Sequence, residues 1–378
     1  MKTKTKVQKG RTGRVDSLLI LLIILLTIYG TIMVFSAGAP FAETRYGDEF
    51  YFVKKQIVWL VLGFLAMFLG TQIKPEIYKK FSPYFYILTL GLLVLVLIFG
   101  FVGNGAQRWI SIGPLTIQPS EIAKLSLVLM LARYFSDNEQ RAVGAKGGGF
   151  IRGTLIPCGI MLLPILLVML QRHLSCIIIL GCIGLLLIFV SGVNPKYIAG
   201  FCAIGAAGVS YIAFFTEYTK ERITVWQNPE AYKLTGGWQT LQGLMAIGSG
   251  GLFGVGLGKS ILKHCYVSEP ANDMIFAILC EELGFFGAAM AILLFMLLIY
   301  RGATLAMRSE NTYSRLVALG ICIKMATQVL LNVAVVTNTI PNTGISLPFF
   351  SYGGSSLIML FFEMGILLSV SKGAAVTK

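Results

Sequence analysis

The stretch "SEPANDMIFAILCEELGFFGAAMAILLFMLLIY", residues 268–300, joins four carboxylates to a long apolar run. Glu269 and Asp273 stand just before the run, and Glu281 and Glu282 lie about two helical turns inside it. No other charge follows before the stretch ends. An apolar helix of about 20 residues is long enough to cross the ~30 Å hydrocarbon core of a bilayer. The stretch therefore predicts a membrane-spanning helix with acidic groups at and inside one end.

The whole chain has the composition of an integral membrane protein. Of its 378 residues, 56% are hydrophobic and only 13% are charged, against roughly 25% charged in an ordinary soluble domain. The apolar runs lack the alternation of barrel strands, which favours an all-α bundle of membrane helices. Ten spans are predicted, with approximate bounds 17–36, 56–71, 83–102, 120–135, 153–170, 174–192, 197–215, 273–300, 315–336 and 352–371.

The first span, 17–36, has a signal peptide as its rival interpretation, because six Lys or Arg precede it and "AGA" follows it. The apolar part of a signal peptide has about 7 to 15 residues, fewer than this run. We interpret the run as a retained helix. The predicted organisation is a basic cytoplasmic tail at 1–16, one transmembrane domain at 17–371 with a large extracellular loop at 216–272 between helices seven and eight, and a cytoplasmic tail at 372–378.

The distribution of Lys and Arg predicts the orientation of the bundle. The chain has 31 basic and 17 acidic residues. Most of the basic ones fall in the two tails and in the loops that the ten spans place on the same side of the membrane as the N-terminus. The positive-inside rule therefore predicts that both termini are cytoplasmic. The net charge of +14 is then a topology signal with some attraction to anionic membrane lipid. Because these residues are spread over many short loops, we expect no nucleic-acid partner.

Three familiar kinds of site are not supported by the sequence. "GVGLGKS", residues 254–260, is close to a nucleotide phosphate loop, but Phe253 stands where that pattern requires glycine and no strand precedes it. The seven cysteines have no CxxC spacing, so neither a disulfide framework nor a metal site is expected. His173 and His264 have no partner at ligand spacing, and metal binding through them is not expected either.

A second polar cluster lies where the third and fourth spans reach the predicted outer surface. The segment "QRWISIGPLTIQPSEIAK" supplies the polar or amphipathic residues Arg108, Trp109, Gln118, Glu121 and Lys124. Glu121 and Lys124 are three apart and are neighbours on a helix, so they could neutralise each other. Alternatively, Lys124 and Arg108 face an anionic group such as a pyrophosphate. The residues alone leave both interpretations open.

Charged groups inside a span are costly, so they pair with an opposite charge or line a polar cavity. For Glu281 and Glu282 we favour an ion pair inside the bundle, and Lys324, within the ninth span, is the candidate counter-charge. Asp273 could cap the start of its helix. Its position at the level of the outer leaflet instead favours a role in binding or chemistry.

Four segments together resemble the SEDS proteins (shape, elongation, division and sporulation), the RodA, FtsW and SpoVE group. The segments are "GAQRWISIGPLTIQPSEIAK", "GWQTLQGLMAIGSGGLFGVGLG", "EPANDMIFAILCEELGFFG" and "IPNTGISLPFFSYGGSSL". The likeness runs from Asp16 to Ser371, and it is nearest to the division and sporulation branch. It implies a ten-helix protein of the bacterial plasma membrane whose active site faces outward.

The activity that the resemblance implies is polymerisation of lipid II into glycan strands, beside a class B penicillin-binding protein as partner. An inverting displacement would release undecaprenyl pyrophosphate, in cell division, shape or sporulation. The catalytic aspartate of the family corresponds to Asp273, which acts as a general base or, alternatively, holds a divalent cation, Mg²⁺ or Mn²⁺. Trp109 and Lys124 match the tryptophan and lysine of the family's outer cavity.

The remaining expectations concern substrate contacts and the shape of the cavity. Arg108 and Lys263 would join Lys124 in stabilising the anionic leaving group, and Glu269 would be a second carboxylate near the substrate. The segment "PFFSYGGSS" carries over as an element that shapes the cavity. Its expected structural residues are Pro348, Ser351, Gly353 and Gly354.

The chain also departs from the family pattern. "QRHLS" at 171–175 stands where Gln-Pro-Asp-Leu-Gly is common, so an acidic residue is lost and its role is in doubt here. "VSE" at 267–269 replaces Leu-Pro-Glu, a milder change. Two other functions are carried as alternatives: a lipid II flippase, with Glu281, Glu282 and Lys324 along its path, and a catalytically weak scaffold for a penicillin-binding protein.

Overall fold

The structure is a computed structural model that describes most of the chain. The described residues are 13, 15–103, 106–112, 115–139, 150–171, 173–203, 205, 217–264 and 271–373. Two residues discussed above, Arg172 and Glu269, lie outside them, as does part of the seventh predicted span.

The described part of the chain is a bundle of helices, as predicted. The helices are α1 (Ser17–Tyr46), α2 (Tyr51–Gln72), α3 (Pro75–Phe99), α4 (Pro119–Asp137), α5 (Ile156–Leu170), α6 (Leu174–Val190), α7 (Glu217–Gln227), α8 (Trp238–Gly250), α9 (Ile275–Met307), α10 (Thr312–Val336) and α11 (Gly354–Gly373). A π-helical segment, Ile151–Leu155, leads into α5, and Pro229–Tyr232 forms a 3-10 turn. Residues 195–203 are also helical.

A small antiparallel sheet joins α3 to α4, in a region where the sequence predicted only an outer loop. Its strands are β1 (Phe101–Gly103), β2 (Ala106–Ile112) and β3 (Leu115–Ile117). Trp109 pairs with Phe101 on one side of β2, and Ile110 pairs with Ile117 on the other. The sheet fixes the positions of Arg108 and Trp109, which lie in its central strand.

Within the described residues, seven helices are long and apolar enough to cross a membrane. They are α1, α2, α3, the 151–170 helix, α9, α10 and α11. The fourth and sixth predicted spans are helices as well, but α4 carries four charged side chains and α6 has 17 residues. The structure thus supports a multi-pass membrane protein, while the number ten stays a prediction.

The start of α1 and the end of α11 lie at the same end of the bundle. Asp16 caps α1 by accepting a hydrogen bond of 2.8 Å from the Leu19 N–H, and its carboxylate also lies 2.5 Å from Arg301 near the end of α9. The Asp16 N–H donates to the Ser371 hydroxyl at 3.2 Å. This proximity agrees with an even number of spans.

Helix α9 is interrupted at Gly284, where φ is 66° and ψ is −164°. The loop that follows α8 fills the break with backbone hydrogen bonds: Phe285 N–H donates to Gly251 and Phe286 N–H donates to Leu252. A Cβ at position 284 would lie 2.4 Å from the backbone N of Gly254, so only glycine fits. The bonds satisfy backbone groups that an unwound turn in a membrane helix would otherwise leave unpaired.

The segment Leu347–Tyr352 packs closely on α1. A Cβ added at Gly30 would lie 2.2 Å from the Phe349 carbonyl oxygen, so the absence of a side chain at Gly30 permits this approach. The Tyr29 ring meets the Phe350 ring edge to face, with centroids 5.1 Å apart. This packing holds the segment where it hydrogen-bonds to the carbonyl groups of Ala271 and Asn272, just before α9.

Asp16→Asn tests the ion pair between Asp16 and Arg301. Asparagine caps helices about as well as aspartate, so the variant removes the charge and keeps the cap; we expect a loss of about 1 kcal/mol at pH 7. Burial acts to raise the pKa of Asp16, but the hydrogen bond and charge of Arg301 outweigh it and hold that pKa below its ordinary value of 3.8.

Because the folded-state pKa is lowered, the ion pair contributes stability above pH 3.8 and loses it as the pH falls through the folded-state pKa. The thermal unfolding midpoints of wild type and Asp16→Asn should therefore differ at pH 7 and converge in acid. Asp137→Asn, at a more exposed ion pair, is the matched control and should change little. A difference between the two unfolding midpoints that grows as the pH falls would contradict a stabilising ion pair at Asp16.

Candidate active site

A cavity of about 750 Å³ opens between the helices at the end of the bundle opposite Asp16. Eight of the predicted site residues line it: Arg108, Trp109, Gln118, Glu121, Lys124, Asp273, Gly353 and Gly354. The cavity therefore brings together side chains that are up to 246 positions apart in the sequence. Its walls mix these polar groups with the rings of Trp59, Trp226 and Tyr352, as a site for an amphipathic ligand requires.

The backbone around Asp273 is held by the segment that packs on α1. The Ser351 hydroxyl donates to the Asn272 carbonyl at 2.7 Å, and the Tyr352 N–H donates to the Ala271 carbonyl at 2.8 Å. From α10, the Asn332 amide donates to the carbonyl of Asp273 at 2.9 Å. These bonds hold the backbone that carries the carboxylate at the cavity wall, and Ser351 contributes one of them.

The Asp273 carboxylate faces the amide of Gln239, which α8 carries into the cavity. The Gln239 Nε2 atom lies 3.4 Å from Oδ1 and 3.5 Å from Oδ2. The Gln239 Oε1 atom in turn accepts a hydrogen bond of 3.0 Å from the Asn342 side chain. The carboxylate is half-buried, so it is accessible to a ligand while its orientation is constrained.

Cationic groups lie deep on the other side of the same cavity. Lys124 is 2% exposed and lies 2.6 Å from Glu121, so the predicted helix neighbours do form an ion pair. Because both residues also line the cavity, the two interpretations of this pair are compatible. Arg108, from β2, adds a second cation to the same lining.

His173 lies in the cavity at the position where the family pattern has aspartate. It is buried just before α6, with Nδ1 3.4 Å from the Ser120 hydroxyl oxygen. Burial, and then the positive charges of Arg108 and Lys124, lower the pKa of His173 to about 3. The imidazole is therefore neutral near pH 7, and a negative charge of the family pattern is replaced by an uncharged ring.

Three predicted site residues form a separate buried cluster, outside the cavity lining. The Lys263 ammonium lies 2.8 Å from Glu282, and Glu281 accepts hydrogen bonds from the Ser260 hydroxyl and from the Ile261 N–H. Lys263 was expected to contact the substrate. That expectation is corrected, because its charge is neutralised by Glu282 and its side chain is 4% exposed.

Lys324 is also placed differently from the prediction. Its ammonium lies 2.6 and 2.7 Å from the two carboxylate oxygens of Glu363 in α11, so Lys324 is not the counter-charge of Glu281 and Glu282. It lines a void of about 20 Å³ beside the main cavity, together with Pro348 and Ser351. The prediction was wrong because Glu363, in the tenth predicted span, was not considered as a partner for Lys324.

Among the lining residues that were not predicted as site residues are Gln239, Asn342 and Arg222. Two of them lie within the segments that carried the family resemblance, so a signal for Gln239 and Asn342 was present. Arg222, in α7, lies in none of those segments. Its role depends on a contact with a distant loop, which local sequence does not encode.

Within the described residues, no group of three or more His, Cys, Asp or Glu side chains is arranged to hold a metal ion. Asp273 offers one carboxylate to the cavity. A single carboxylate fits Mg²⁺, which commonly binds through one or two carboxylates together with the phosphates of a substrate.

The fold and the cavity define a class: a multi-pass helical membrane protein with a polar and aromatic cavity at the end of the bundle remote from Asp16. Comparison with known proteins assigns the family. Residues 16–375 match the family model FTSW_RODA_SPOVE, described as "Cell cycle protein". The chain belongs to this family, and the predicted resemblance is confirmed.

Individual relatives cover nearly the whole chain. Stage V sporulation protein E of Bacillus subtilis (strain 168) is 39% identical, over 94% of this chain and 97% of its own length. The peptidoglycan glycosyltransferase MrdB of Escherichia coli (strain K12) is 34% identical, over 94% of this chain and 93% of its own.

Solved structures are similar over the same extent. The crystal structure of the rod shape determining protein RodA of Thermus thermophilus is 28% identical with a TM-score of 0.69, and covers 94% of this chain and 96% of that one. A structure described as "Structural coordination of polymerization and crosslinking by a peptidoglycan synthase complex" has a TM-score of 0.79 and 27% identity, and covers 94% of this chain and 97% of that one.

The Lys324–Glu363 pair generates a prediction about stability. Glu363→Gln leaves the Lys324 ammonium buried without its counter-charge, and we expect a loss of about 3–5 kcal/mol. Replacing both residues with apolar ones, Lys324→Met with Glu363→Leu, should recover most of that loss because no buried charge remains. Thermal unfolding midpoints of the single and double variants in detergent provide the measurement. A double variant as unstable as Glu363→Gln would show that the pair does not act as a unit.

Proposed function

We propose that this protein is a peptidoglycan glycosyltransferase that polymerises lipid II into glycan strands. Relatives of its family are named for this activity, among them MrdB of E. coli. The observation that carries the proposal to this chain is the position of Asp273, a carboxylate in a cavity that also contains Lys124 and Arg108. Similarity to the B. subtilis stage V sporulation protein supports a role for this protein in sporulation or division.

The proposed reaction is a single displacement with inversion. The C4 hydroxyl of one lipid-linked sugar attacks the anomeric carbon of another, forming the glycosidic C–O bond as the bond to the pyrophosphate oxygen breaks. Asp273 accepts the hydroxyl proton, and a general base of this kind typically contributes about 10²–10⁴-fold in rate. The departing undecaprenyl pyrophosphate takes the electron pair of the broken bond.

Lys124 and Arg108 would stabilise the charge that develops on the leaving pyrophosphate. Glu121 neutralises part of the Lys124 charge before substrate arrives, which lowers the cost of burying that ammonium. Trp59, Trp226 and Tyr352 offer aromatic surface to the sugars and the lipid chain. The substrate is half sugar and half lipid, and the mixed lining of the cavity suits both parts.

Binding of a divalent cation is the alternative role for Asp273. Asp273 would hold it against the substrate's pyrophosphate, and the cation would supply further charge stabilisation there. The metal requirement is tested by comparing activity with added Mg²⁺ or Mn²⁺ and with a chelator.

A class B penicillin-binding protein is the proposed partner, since a structural neighbour is a complex that coordinates polymerisation with crosslinking. We place the cavity at the outer face of the plasma membrane. The support is that Lys and Arg concentrate in the termini and the loops on their side, whereas Asp273 lies at the opposite end of the bundle.

Asp273→Asn is the decisive variant. Asparagine keeps the size and removes the base, so polymer formation from labelled lipid II should fall by at least about 10²-fold. The assay uses purified protein with its co-purified penicillin-binding partner, with glycan strands resolved by length. Asp48→Asn, which changes an exposed carboxylate at the same end of the bundle, is the matched control and should keep wild-type activity.

If Asp273→Asn still polymerises lipid II, Asp273 is not the catalytic base. Polymer from neither wild type nor variant, in the presence of partner and Mg²⁺, would favour the flippase or scaffold alternatives. Lys263 is ion-paired with Glu282, and Lys324 is ion-paired with Glu363. Neither lysine therefore offers an unpaired charge to a lipid on a flippase path.

A further inference from the structure

The glycine-rich loop that follows α8, residues 251–262, carries apolar side chains on its outer surface. Phe253 is 80% exposed, and Leu252, Leu257 and Ile261 are exposed as well. These four side chains lie outside the lining of the cavity that contains Asp273. A contiguous apolar surface of this kind marks contact with a membrane or with another protein.

The apolar surface of the loop continues onto helix α9. The rings of Phe253 and Phe286 are in contact, with their centroids 5.3 Å apart. Phe285, Phe286 and Met290 are exposed along the same helix. Because α9 is long and apolar enough to cross a membrane, its exposed apolar side chains face lipid. The loop therefore extends a lipid-facing surface of the bundle.

The position of the loop along α9 places it within the thickness of a bilayer. Gly284, where the loop is bonded into α9, lies 17 residues before Arg301, the first charged residue after it. At a helical rise of ~1.5 Å per residue, the two are about 25 Å apart along the axis. The hydrocarbon core is about 30 Å thick. With Arg301 at one boundary, the break at Gly284 is inside the core near the other boundary, and any tilt of the helix brings it deeper.

A loop in hydrocarbon must satisfy its backbone polar groups within the protein. The break in α9 supplies the partners that the loop needs. The Val255 N–H donates to the Glu281 carbonyl at 2.9 Å, and the Gly256 N–H donates to the Glu282 carbonyl at 3.0 Å. Together with the two bonds from α9 to the loop described above, these contacts pair the backbone of the loop with that of the broken helix.

Polar side chains of the loop and of the residues just after it face the protein interior. The Ser260 hydroxyl donates to the Glu281 carboxylate, Lys263 is ion-paired with Glu282, and Ser260 and Lys263 are buried. Lys259 is exposed, and a lysine near the boundary of the core can extend its ammonium to the lipid headgroups. The loop thus turns polar groups inward and apolar side chains outward, the reverse of a loop in water.

We propose that residues 251–262 are inserted into the edge of the hydrocarbon core remote from Asp16, where their apolar side chains contact the acyl chains of membrane lipid. This part of the predicted extracellular loop is then a membrane-inserted segment. A partner protein would need a surface of matching shape, whereas lipid requires only apolar character and the right depth, and the loop has both. The proposal is independent of the catalytic activity proposed above.

The test is tryptophan fluorescence in lipid nanodiscs whose lipids are brominated near the headgroup end of the acyl chains, because bromine quenches tryptophan on contact. Phe253→Trp replaces one exposed ring with another, and its signal is the excess over the wild type, which has four tryptophans. Val61→Trp, at an exposed position midway along α2, is the lipid-facing reference. Phe50→Trp, at an exposed position in the turn beside Asp48 and Glu49, is the reference on the water side.

We expect Phe253→Trp to lose most of its excess fluorescence, as Val61→Trp does, and Phe50→Trp to lose little. The full chain is measured alone and with its co-purified penicillin-binding partner, and quenching in both samples supports contact with lipid. Quenching of Phe253→Trp no stronger than that of Phe50→Trp overturns the proposal. Quenching that disappears when the partner is added also overturns it, because the surface is then a protein interface. If Phe253→Trp fails to fold, Leu257→Trp gives the same comparison.

Discussion

A charge in hydrocarbon is unfavourable unless an opposite charge or a set of hydrogen bonds neutralises it, and the interior of this bundle is arranged around that constraint. Three buried lysines each lie within 2.8 Å of a carboxylate. The pairs join α4 to itself, the loop after α8 to α9, and α10 to α11. Helix packing and charge neutralisation therefore depend on each other, because two of these pairs hold neighbouring elements of the bundle together.

The cavity is built by backbone as much as by side chains. The segment Leu347–Tyr352 lies against α1 where Gly30 leaves space, and it binds the residues before Asp273 through their carbonyl groups. The kink at Gly284 adds a second constraint, because the loop after α8 is hydrogen-bonded into it. The start of α9 is thus held from two sides, and α8 brings Gln239 to the carboxylate.

Apolar run length was sufficient to predict the helical membrane bundle, because that signal is local. The family segments likewise predicted Asp273, Lys124 and Trp109 in one cavity. The partners of Lys324 and Lys263 were missed, since ion pairing depends on which helices are neighbours. Arg222 was missed because its partner, the Asn342 carbonyl, is 120 residues away in the sequence. Asn342 lies in a family segment, but its bond to Gln239, 103 residues away, cannot be read from that segment.

The Lys324–Glu363 pair also has a consequence for biosynthesis. The two residues are 39 positions apart, so Lys324 is synthesised before its counter-charge. A lone lysine at the centre of a helix disfavours membrane insertion by about 2.5–3.5 kcal/mol on translocon scales. The pair therefore favours entry of α10 and α11 into the bilayer together. The cavity beside them is complete only when α11 is in place, because Gly354 and Ser356 line it.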